Sequence, residues 1–267
     1  MGNHQRPLQL ICLSLLFFFT YACADSSTKR ESNAELITQD SLPELLNEVL
    51  DAHGGLERWR EMQLLEFDLY SDTTFVDHQL VDLENRKVLI SNDLYTIGYN
   101  GDEVWFTGKE SEFPGGSARF YHNLQFYFFA LPFVFADPGV VHEVLEPRTF
   151  QGKAYEVMRF TYESEVGDSP EDEYIIYINP DNKRMELLLY TVTYFTGEDA
   201  DGYGARLYSQ WQQVNGLRVP LTSERYNWEN DSLGEFRYAS GYKNVILEER
   251  EPDQAKFLAP TKASISD

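Results

Sequence analysis

The feature that most constrains the fold is a long succession of short apolar segments that begins at Leu64 and is cut repeatedly by turn signals. Asn100-Gly101 and Asn215-Gly216 are typical of tight hairpins, and Asn179-Pro180-Asp181-Asn182 is typical of a slightly longer turn. Strands joined by such short turns pair with their neighbours in the chain. The pattern therefore predicts one large antiparallel sheet of about 11 to 12 strands.

Alternation within the later segments predicts that one face of this sheet is apolar and the other wet. Two sets of alternating residues carry the prediction, Leu188, Tyr190, Val192 and Tyr194 in one strand and Phe236, Tyr238, Tyr242 and Ile246 in another. A sheet this wide must curl or be covered to hide an apolar face. We expect a mainly β protein with some α structure (α+β), a strongly curved antiparallel half-barrel with helices packed on its concave side.

An amphipathic helix is predicted before the sheet. Ser41-Leu42-Pro43-Glu44 has the pattern of a capping box with proline in the first turn. The following leucines and valine recur at helical spacing, and the helix should end at His53-Gly54-Gly55, where glycine can adopt a left-handed conformation. His53 is interpreted as a helix-end residue rather than a ligand.

A second helix is predicted over Arg119–Leu131, ended by Pro132. It lies in a segment that holds eight aromatic residues, namely Phe120, Tyr121, Phe126, Tyr127, Phe128, Phe129, Phe133 and Phe135. A helix that is apolar nearly all round is buried on several sides or lines a ligand cavity. Three interpretations stay open, which are core packing, a lipid-lined pocket and contact with a membrane surface.

The N-terminal residues resemble a secretion signal. An apolar run of about twelve residues follows Arg6, which is too short to span roughly 30 Å of hydrocarbon. Ala22-Cys23 fits the end of a bacterial lipobox, in which Cys23 would be acylated, although Thr20 departs from the usual leucine. The alternative is Ala22-Cys23-Ala24 as an ordinary cleavage site. We favour the lipoprotein, with a signal peptide over residues 1–22 and a lipidated tether over residues 23–40.

Composition limits the partners of this chain. The formal net charge is −22, and removal of residues 1–22 takes away Arg6 alone, which leaves 21 basic residues against 44 acidic ones, a charge of −23. Nucleic acids and anionic lipid surfaces are bound through clustered lysine and arginine. We therefore predict no nucleic-acid partner. Cys12 and Cys23 are the only cysteines, so no disulfide is expected in the mature domain.

Enzyme signatures are missing from the sequence. The histidines after the signal segment, His53, His78, His122 and His142, form no zinc-binding motif, and no Gly-x-Ser-x-Gly is present. Asp199-x-Asp201-Gly202 matches only half of a calcium loop. We predict no metal site, no cofactor and no catalytic residues.

Several of these motifs together resemble the LolA-like superfamily of bacterial envelope proteins. They are Ala52-His53-Gly54-Gly55 at a helix end, Asp137-Pro138 after the aromatic segment, Ile178-Asn179-Pro180-Asp181, and Val214-Asn215-Gly216-Leu217-Arg218-Val219-Pro220. Within the superfamily, the chain is most similar to an uncharacterised family of Bacteroidetes lipoproteins. The resemblance spans Leu42 to Leu247. It implies a half-barrel closed by helices over a hydrophobic cavity, without catalysis.

The sequence and this resemblance together predict a non-enzymatic lipoprotein of the Gram-negative cell envelope, at the outer membrane or its periplasmic face. A LolA-like domain over residues 41–258 would bind a lipid or lipoprotein acyl chain, and residues 259–267 would form a flexible tail. The chain is predicted to be a monomer that reaches the membrane only through its lipid anchor. Helical periodicity gives the expected ligand contacts, Phe120, Leu124, Phe128 and Leu131, with Tyr190 and Tyr238 opposite. The alternative is a structural or interaction lipoprotein with a packed interior.

Overall fold

A computed structural model of the protein is built around one antiparallel sheet of thirteen strands. The structure describes Gly2 and residues 41–163, 169–197, 200 and 202–266. Three predicted features therefore lie outside the described residues. They are the signal segment apart from Gly2, the lipobox with its tether, and the two aspartates of the partial calcium loop. The strands are β1 (Leu64–Ser71), β2 (Thr74–Asp82), β3 (Val88–Ser91), β4 (Thr96–Tyr99), β5 (Val104–Thr107), β6 (Val140–Phe150), β7 (Lys153–Tyr162), β8 (Tyr174–Ile178), β9 (Met185–Tyr190), β10 (Gly204–Val214), β11 (Leu217–Glu229), β12 (Ser232–Glu248) and β13 (Ser264–Ser266).

Helical structure is confined to a few segments among the described residues. The α-helices are α1 (Glu44–Ala52), α2 (Leu56–Glu61) and α3 (Ala118–Ala130), and short 3-10 turns lie at Glu110–Glu112, Pro114–Gly116, Phe133–Ala136 and Gln254–Phe257. Helix α1 begins with Pro43 as its N-cap residue and without a side-chain cap, so the predicted capping box at Ser41 is wrong. Its apolar face is as predicted, with Leu46, Val49 and Leu50 fully buried.

The strand order is β13-β5-β4-β3-β2-β1-β12-β11-β10-β9-β8-β7-β6. Most neighbours in the sheet are neighbours in the chain, as the turn signals predicted, and the exceptions are the β1–β12 and β5–β13 pairs. The described strands form an open sheet that does not close into a barrel. This curved sheet confirms the predicted mainly β half-barrel.

The strand count exceeds the prediction because the C-terminal segment docks on the sheet. Phe257 is fully buried, and its carbonyl accepts a hydrogen bond of 2.8 Å from the Trp105 indole nitrogen. This contact anchors the chain beside β5, so that Ser264–Ser266 can pair with it as β13. The expectation of a flexible tail over residues 259–267 is therefore wrong for these three residues.

The curvature of the sheet follows from its contacts with α3. The helix contacts β5 near one edge of the sheet, and the Phe128 ring lies 4.9 Å from that of Tyr190 in β9. Seven strands separate β5 from β9, so a flat sheet would place them about 38 Å apart. Helix α3 has 13 residues, so it is only about 20 Å long and about 10–12 Å wide with its side chains. The sheet must therefore wrap around α3, which lies against its concave face.

The opposite face is not uniformly wet, contrary to the prediction. Leu187 and Leu189 in β9 point away from α3 and are at most 2% exposed. They belong to a second apolar cluster in which the ring of Phe150 in β6 lies 6.0 Å from that of Trp228 in β11. Four strands separate β6 from β11 in the sheet, so the long strands also coil over this outer face at one corner.

Two irregularities in β12 move Phe236 and Ile246 off the face predicted for them. The register against β1 shifts beside Asn244, which has a φ of 51°, and the register against β11 shifts between Phe236 and Tyr238. Each shift changes which face the following side chains occupy. Tyr242 is consequently buried, whereas Phe236 and Ile246 are 48% and 38% exposed.

The His-Gly-Gly and Asn-Gly motifs dock against each other. The backbone carbonyl of His53 accepts a 2.7 Å hydrogen bond from the Arg218 amide. Arg58 of α2 donates to both the backbone carbonyl and the side-chain oxygen of Asn215, at 2.9 and 2.5 Å. Two motifs far apart in the sequence therefore form one structural joint between the helical N-terminus and the β10–β11 hairpin.

Gly54 is required by the closeness of this joint. Its φ is +112°, and a Cβ atom there would lie only 2.5 Å from the carbonyl oxygen of Gly216. His53 is the C-cap of α1, as predicted. Its ring is fully buried, with Nδ1 2.8 Å from the carbonyl oxygen of Val49, and it meets Trp211 edge-on at 4.7 Å.

Strand β6 forms one edge of the sheet, with β7 as its neighbour among the described strands. Its register against β7 shifts between Leu145 and Arg148, and Pro147 lies within the shift. Glu143 and Arg148 are also in this strand, and most of its side chains are exposed or half-buried.

Candidate functional site

Helix α3 positions most of the candidate site. Ser117 is its N-cap and accepts a hydrogen bond of 3.2 Å from the Phe120 amide. Leu131 has an extended backbone, and the helix ends at Ala130 ahead of Pro132, close to the predicted boundary. One side of the helix is packed, since Phe126 and Phe129 are at most 1% exposed.

A cavity of about 420 Å³ lies between α3 and the concave face of the sheet. Besides α3, its walls come from the end of β1, from β2, from the Pro114–Gly116 turn, from the end of β9 and from the middle of β12. Its lining is mainly apolar and aromatic. The residues are Leu69, Tyr70, Ser71, Val76, Pro114, Gly115, Phe120, Tyr121, Leu124, Gln125, Phe128, Tyr190, Val192, Tyr238 and Ser240.

The structure brings five of the six predicted contact residues to this cavity. Phe120, Leu124 and Phe128 form a stripe along α3, and Tyr190 and Tyr238 face them from the sheet. Leu131 lines neither this cavity nor its neighbour and is buried in the core at 2% exposure. The reason is that the helix ends one residue earlier, so that helical spacing no longer sets the direction of its side chain.

A second cavity of about 330 Å³ lies on the other side of the same stripe. It shares Phe120, Leu124 and Phe128 with the larger cavity, but its remaining walls are more polar and include Arg86 and Asp172. Of the two, the larger cavity better matches the predicted apolar site, and the stripe on α3 is the wall that separates them.

A buried carboxylate is held close to the larger cavity. Asp77 is fully buried and accepts hydrogen bonds from Tyr121 at 2.7 Å, Tyr95 at 3.0 Å and Gln79 at 3.0 Å. Burial raises the pKa of Asp77, although the three hydrogen bonds oppose that shift. Tyr121 lines the cavity with its ring while its hydroxyl holds Asp77, so this network fixes the position of one wall.

A buried arginine, which the sequence analysis did not single out, lies behind the opposite wall. Arg206 in β10 is fully buried, and its guanidinium lies 3.9 Å from the centre of the Phe128 ring. It donates to the hydroxyls of Ser223, Ser240 and Tyr238 at 3.0, 3.2 and 3.1 Å. Periodicity could have placed it on the inner face, but a single arginine in a strand is usually taken as exposed.

Metal binding and membrane spanning find no support within the described residues. No group of three or more histidine, cysteine, aspartate and glutamate side chains there is arranged to hold a metal ion. None of the helices described is long and apolar enough to cross a membrane.

The fold and the cavities together define an open antiparallel half-barrel with an aromatic helix in its concave face, which fits the LolA-like architecture expected from the motifs. A model of a family of unknown function (DUF6503) matches residues 87–216, just under half of the chain. No curated protein matches the chain.

Several solved structures are similar over most of their length. A LolA superfamily protein, NE2245 from Nitrosomonas europaea, is 12% identical with a TM-score of 0.45, over 76% of this chain and 96% of its own. A DUF1329 family protein from Desulfovibrio piger is 9% identical with a TM-score of 0.44, over 76% and 92%. A putative outer membrane lipoprotein-sorting protein domain from Vibrio parahaemolyticus is 10% identical with a TM-score of 0.43, over 79% and 97%.

Proposed function

We propose that this protein binds an apolar ligand, a lipid or an acyl chain, between α3 and the concave face of the sheet, and that it does so without catalysis. The observation that carries the proposal is the cavity of about 420 Å³ along the Phe120, Leu124 and Phe128 stripe. Protein interiors normally pack to a density of about 0.74 and leave few voids larger than a water molecule. Small-molecule sites, in contrast, are mainly apolar clefts of roughly 300–1,000 Å³.

The surroundings of the cavity support a site rather than a packing fault. Immediately next to it, Phe129 is fully buried, with its ring 4.9 Å from Phe67 and 5.3 Å from Tyr242. The side of α3 that is packed throughout and the side that borders the cavities, at Phe128, thus differ by a single residue position. A core that failed to pack in general would leave gaps on both sides.

The direct test is to identify what the protein carries. The mature domain from Ala24, which lacks the Cys23 anchor, is purified without detergent, its mass is measured under native conditions, and bound molecules are extracted into organic solvent and analysed. We expect a stoichiometric acyl-chain lipid. A ligand-free mass that does not change when fatty acid or phospholipid is added would contradict the proposal and favour the alternative, a structural or interaction lipoprotein with a packed interior.

A cavity-filling variant tests where the ligand lies. Leu124 is half-buried and borders both cavities, so Leu124→Trp should fill the space and reduce bound lipid at least tenfold while the protein still folds. Leu258→Trp is the matched control, because Leu258 is 64% exposed. Equal lipid content in the two variants would place the ligand elsewhere.

Anchoring at the envelope is a separate part of the proposal and rests on the sequence motif at Cys23. Acylation there would attach the domain to a membrane through the polar segment that follows. We expect Cys23→Ser to move the protein from the membrane fraction to the soluble fraction. Unchanged fractionation would reject the lipobox and leave the ligand-binding proposal intact.

A further inference from the structure

The buried charge of Arg206 has no carboxylate partner in the described part of the chain. Its hydrogen-bond partners are three neutral hydroxyls, and its Nε atom is buried without any partner. A buried ion costs several kcal/mol unless it is paired. Hydroxyl groups solvate the guanidinium, but they do not neutralise it.

A second arginine lies directly across the strand pair. Arg225 in β11 is the register partner of Arg206 in β10, so the two side chains share a face of the sheet. Arg225 is half-buried, its Nη1 atom is buried without a hydrogen-bond partner, and its guanidinium lies 5.5 Å from the centre of the Tyr190 ring. It forms no ion pair with any described carboxylate. Like charges directly opposite each other destabilise a sheet, so an anion between them would remove an unfavourable contact.

Both arginines contact the walls of the larger cavity. Arg206 donates hydrogen bonds to Tyr238 and Ser240, and its guanidinium lies over the Phe128 ring. The guanidinium of Arg225 lies over the Tyr190 ring. All four of these contacted residues line the cavity. The whole chain has a net charge of −22, with 44 acidic residues against 22 basic ones. Two neighbouring arginines without a described carboxylate partner are therefore exceptional in this protein.

We infer that Arg206 and Arg225 form the headgroup site for an anionic, single-chain amphiphile, whose alkyl chain occupies the larger cavity. Guanidinium groups bind carboxylate and phosphate through charge-assisted, often bidentate hydrogen bonds. The inference rests on the proposed function and adds the chemical class of the ligand.

The size of the cavity sets the length of the chain. A water molecule occupies about 30 Å³ in the liquid, and a methylene group is of similar size, so about 420 Å³ holds roughly 14 methylene groups, enough for a dodecyl chain. This suits one alkyl chain and not a whole diacyl lipid. A dodecyl compound is therefore the probe of choice.

The first experiment uses the wild-type protein, stripped of bound lipid, and four dodecyl compounds below their micelle concentrations. Dodecanoate and dodecyl phosphate should bind at least tenfold more tightly than dodecanol, and dodecyltrimethylammonium should bind most weakly. The order of the two anions distinguishes a carboxylate from a phosphate headgroup. Equal binding of dodecanoate and dodecanol would overturn the inference but leave the proposed function standing. Binding of none of the four would instead contradict the proposed function itself.

Variants then assign the headgroup site. An apolar residue of similar volume often replaces a buried ion without loss of stability, so Arg206→Met should remain folded. It should bring dodecanoate and dodecanol to within about twofold of each other, whereas Arg206→Lys should keep part of the preference. Arg237→Met, at an exposed arginine of β12, is the control and should bind as the wild type does. A tenfold preference for dodecanoate that persists in folded Arg206→Met would exclude Arg206 from the site.

Discussion

At the residue scale, the most restrictive position is Gly54, where two chain segments meet. Its neighbour Gly55 also has a positive φ, of +94°, but a Cβ atom there would have no heavy atom within 4 Å. Substitution of the two glycines therefore distinguishes the cost of backbone strain from the cost of a steric clash. Both effects act at Gly54, and only strain acts at Gly55.

We expect Gly54→Ala to lower the free energy of unfolding by roughly 2–4 kcal/mol, because it combines left-handed strain of about 1–2 kcal/mol with a clash against Gly216. Gly55→Ala should cost only the strain. Chemical denaturation of both variants gives the difference. Equal losses would mean that the joint relaxes freely around an added methyl group.

His53 makes stability depend on pH. Burial lowers the pKa of His53 from its usual 6.5 to about 4, since desolvation outweighs the hydrogen bond to Val49. The folded state thus favours the neutral ring, and its stabilising contribution is complete above about pH 6.5 and is lost as the pH falls to about 4. The contribution is at most about 3 kcal/mol.

The measurement is the free energy of unfolding of wild type and His53→Gln between pH 4.5 and 7.5. The advantage of the wild type should shrink as the pH falls, because only the wild type must then protonate a buried ring. Other titrating groups affect both proteins and cancel in the difference. Parallel curves would show that His53 is hydrated in the folded state.

At the scale of elements, α3 combines a packed side with a side that borders cavities, and adjacent residues report on each. Phe129→Ala should cost about 3–5 kcal/mol, the usual loss for a buried phenylalanine. Phe128→Ala should cost less, because the space that it vacates joins two existing cavities that solvent or ligand can fill. Denaturant midpoints of the two variants provide the comparison, and equal losses would favour a packed core at both positions.

The sequence was informative about elements and less so about sites. Periodicity and Pro132 placed α3 to within one residue at each end, and helical spacing grouped Phe120, Leu124 and Phe128, which line both cavities. It misplaced Leu131, whose direction depends on where the last helical turn stops. It could not find Arg206, since the partners of a buried arginine come from strands that only the tertiary fold brings together.

At the scale of the whole molecule, the sheet coils in a way that the alternation of apolar and polar residues in the sequence cannot predict. Alternation predicts the face of each side chain but not whether distant strands come to cover that face. The contact between Phe150 and Trp228 depends on this long-range coil, and so does the burial of Leu187 and Leu189 on the outer face.

A double-mutant cycle tests whether the coiled sheet brings β6 and β11 into contact. Phe150→Ala and Trp228→Ala should show a coupling free energy of about 0.5–1.5 kcal/mol, as expected for an aromatic pair. Phe150→Ala combined with Phe75→Ala should be additive, because Phe75 is exposed on β2, on the other half of the sheet. Additivity in both cycles would mean that the outer corner is open in solution.

Strand β6 bears on how an open sheet can exist without recruiting other chains. An unpaired edge strand is a template to which a strand of another molecule can add, and such additions lead to aggregates and amyloid fibrils. Pro147 offers no amide hydrogen to an incoming strand, the register shift around it bends the edge, and Glu143 and Arg148 place charge beside it. Among the strands that the structure describes, the one that leaves the half-barrel open at this edge therefore also discourages its polymerisation.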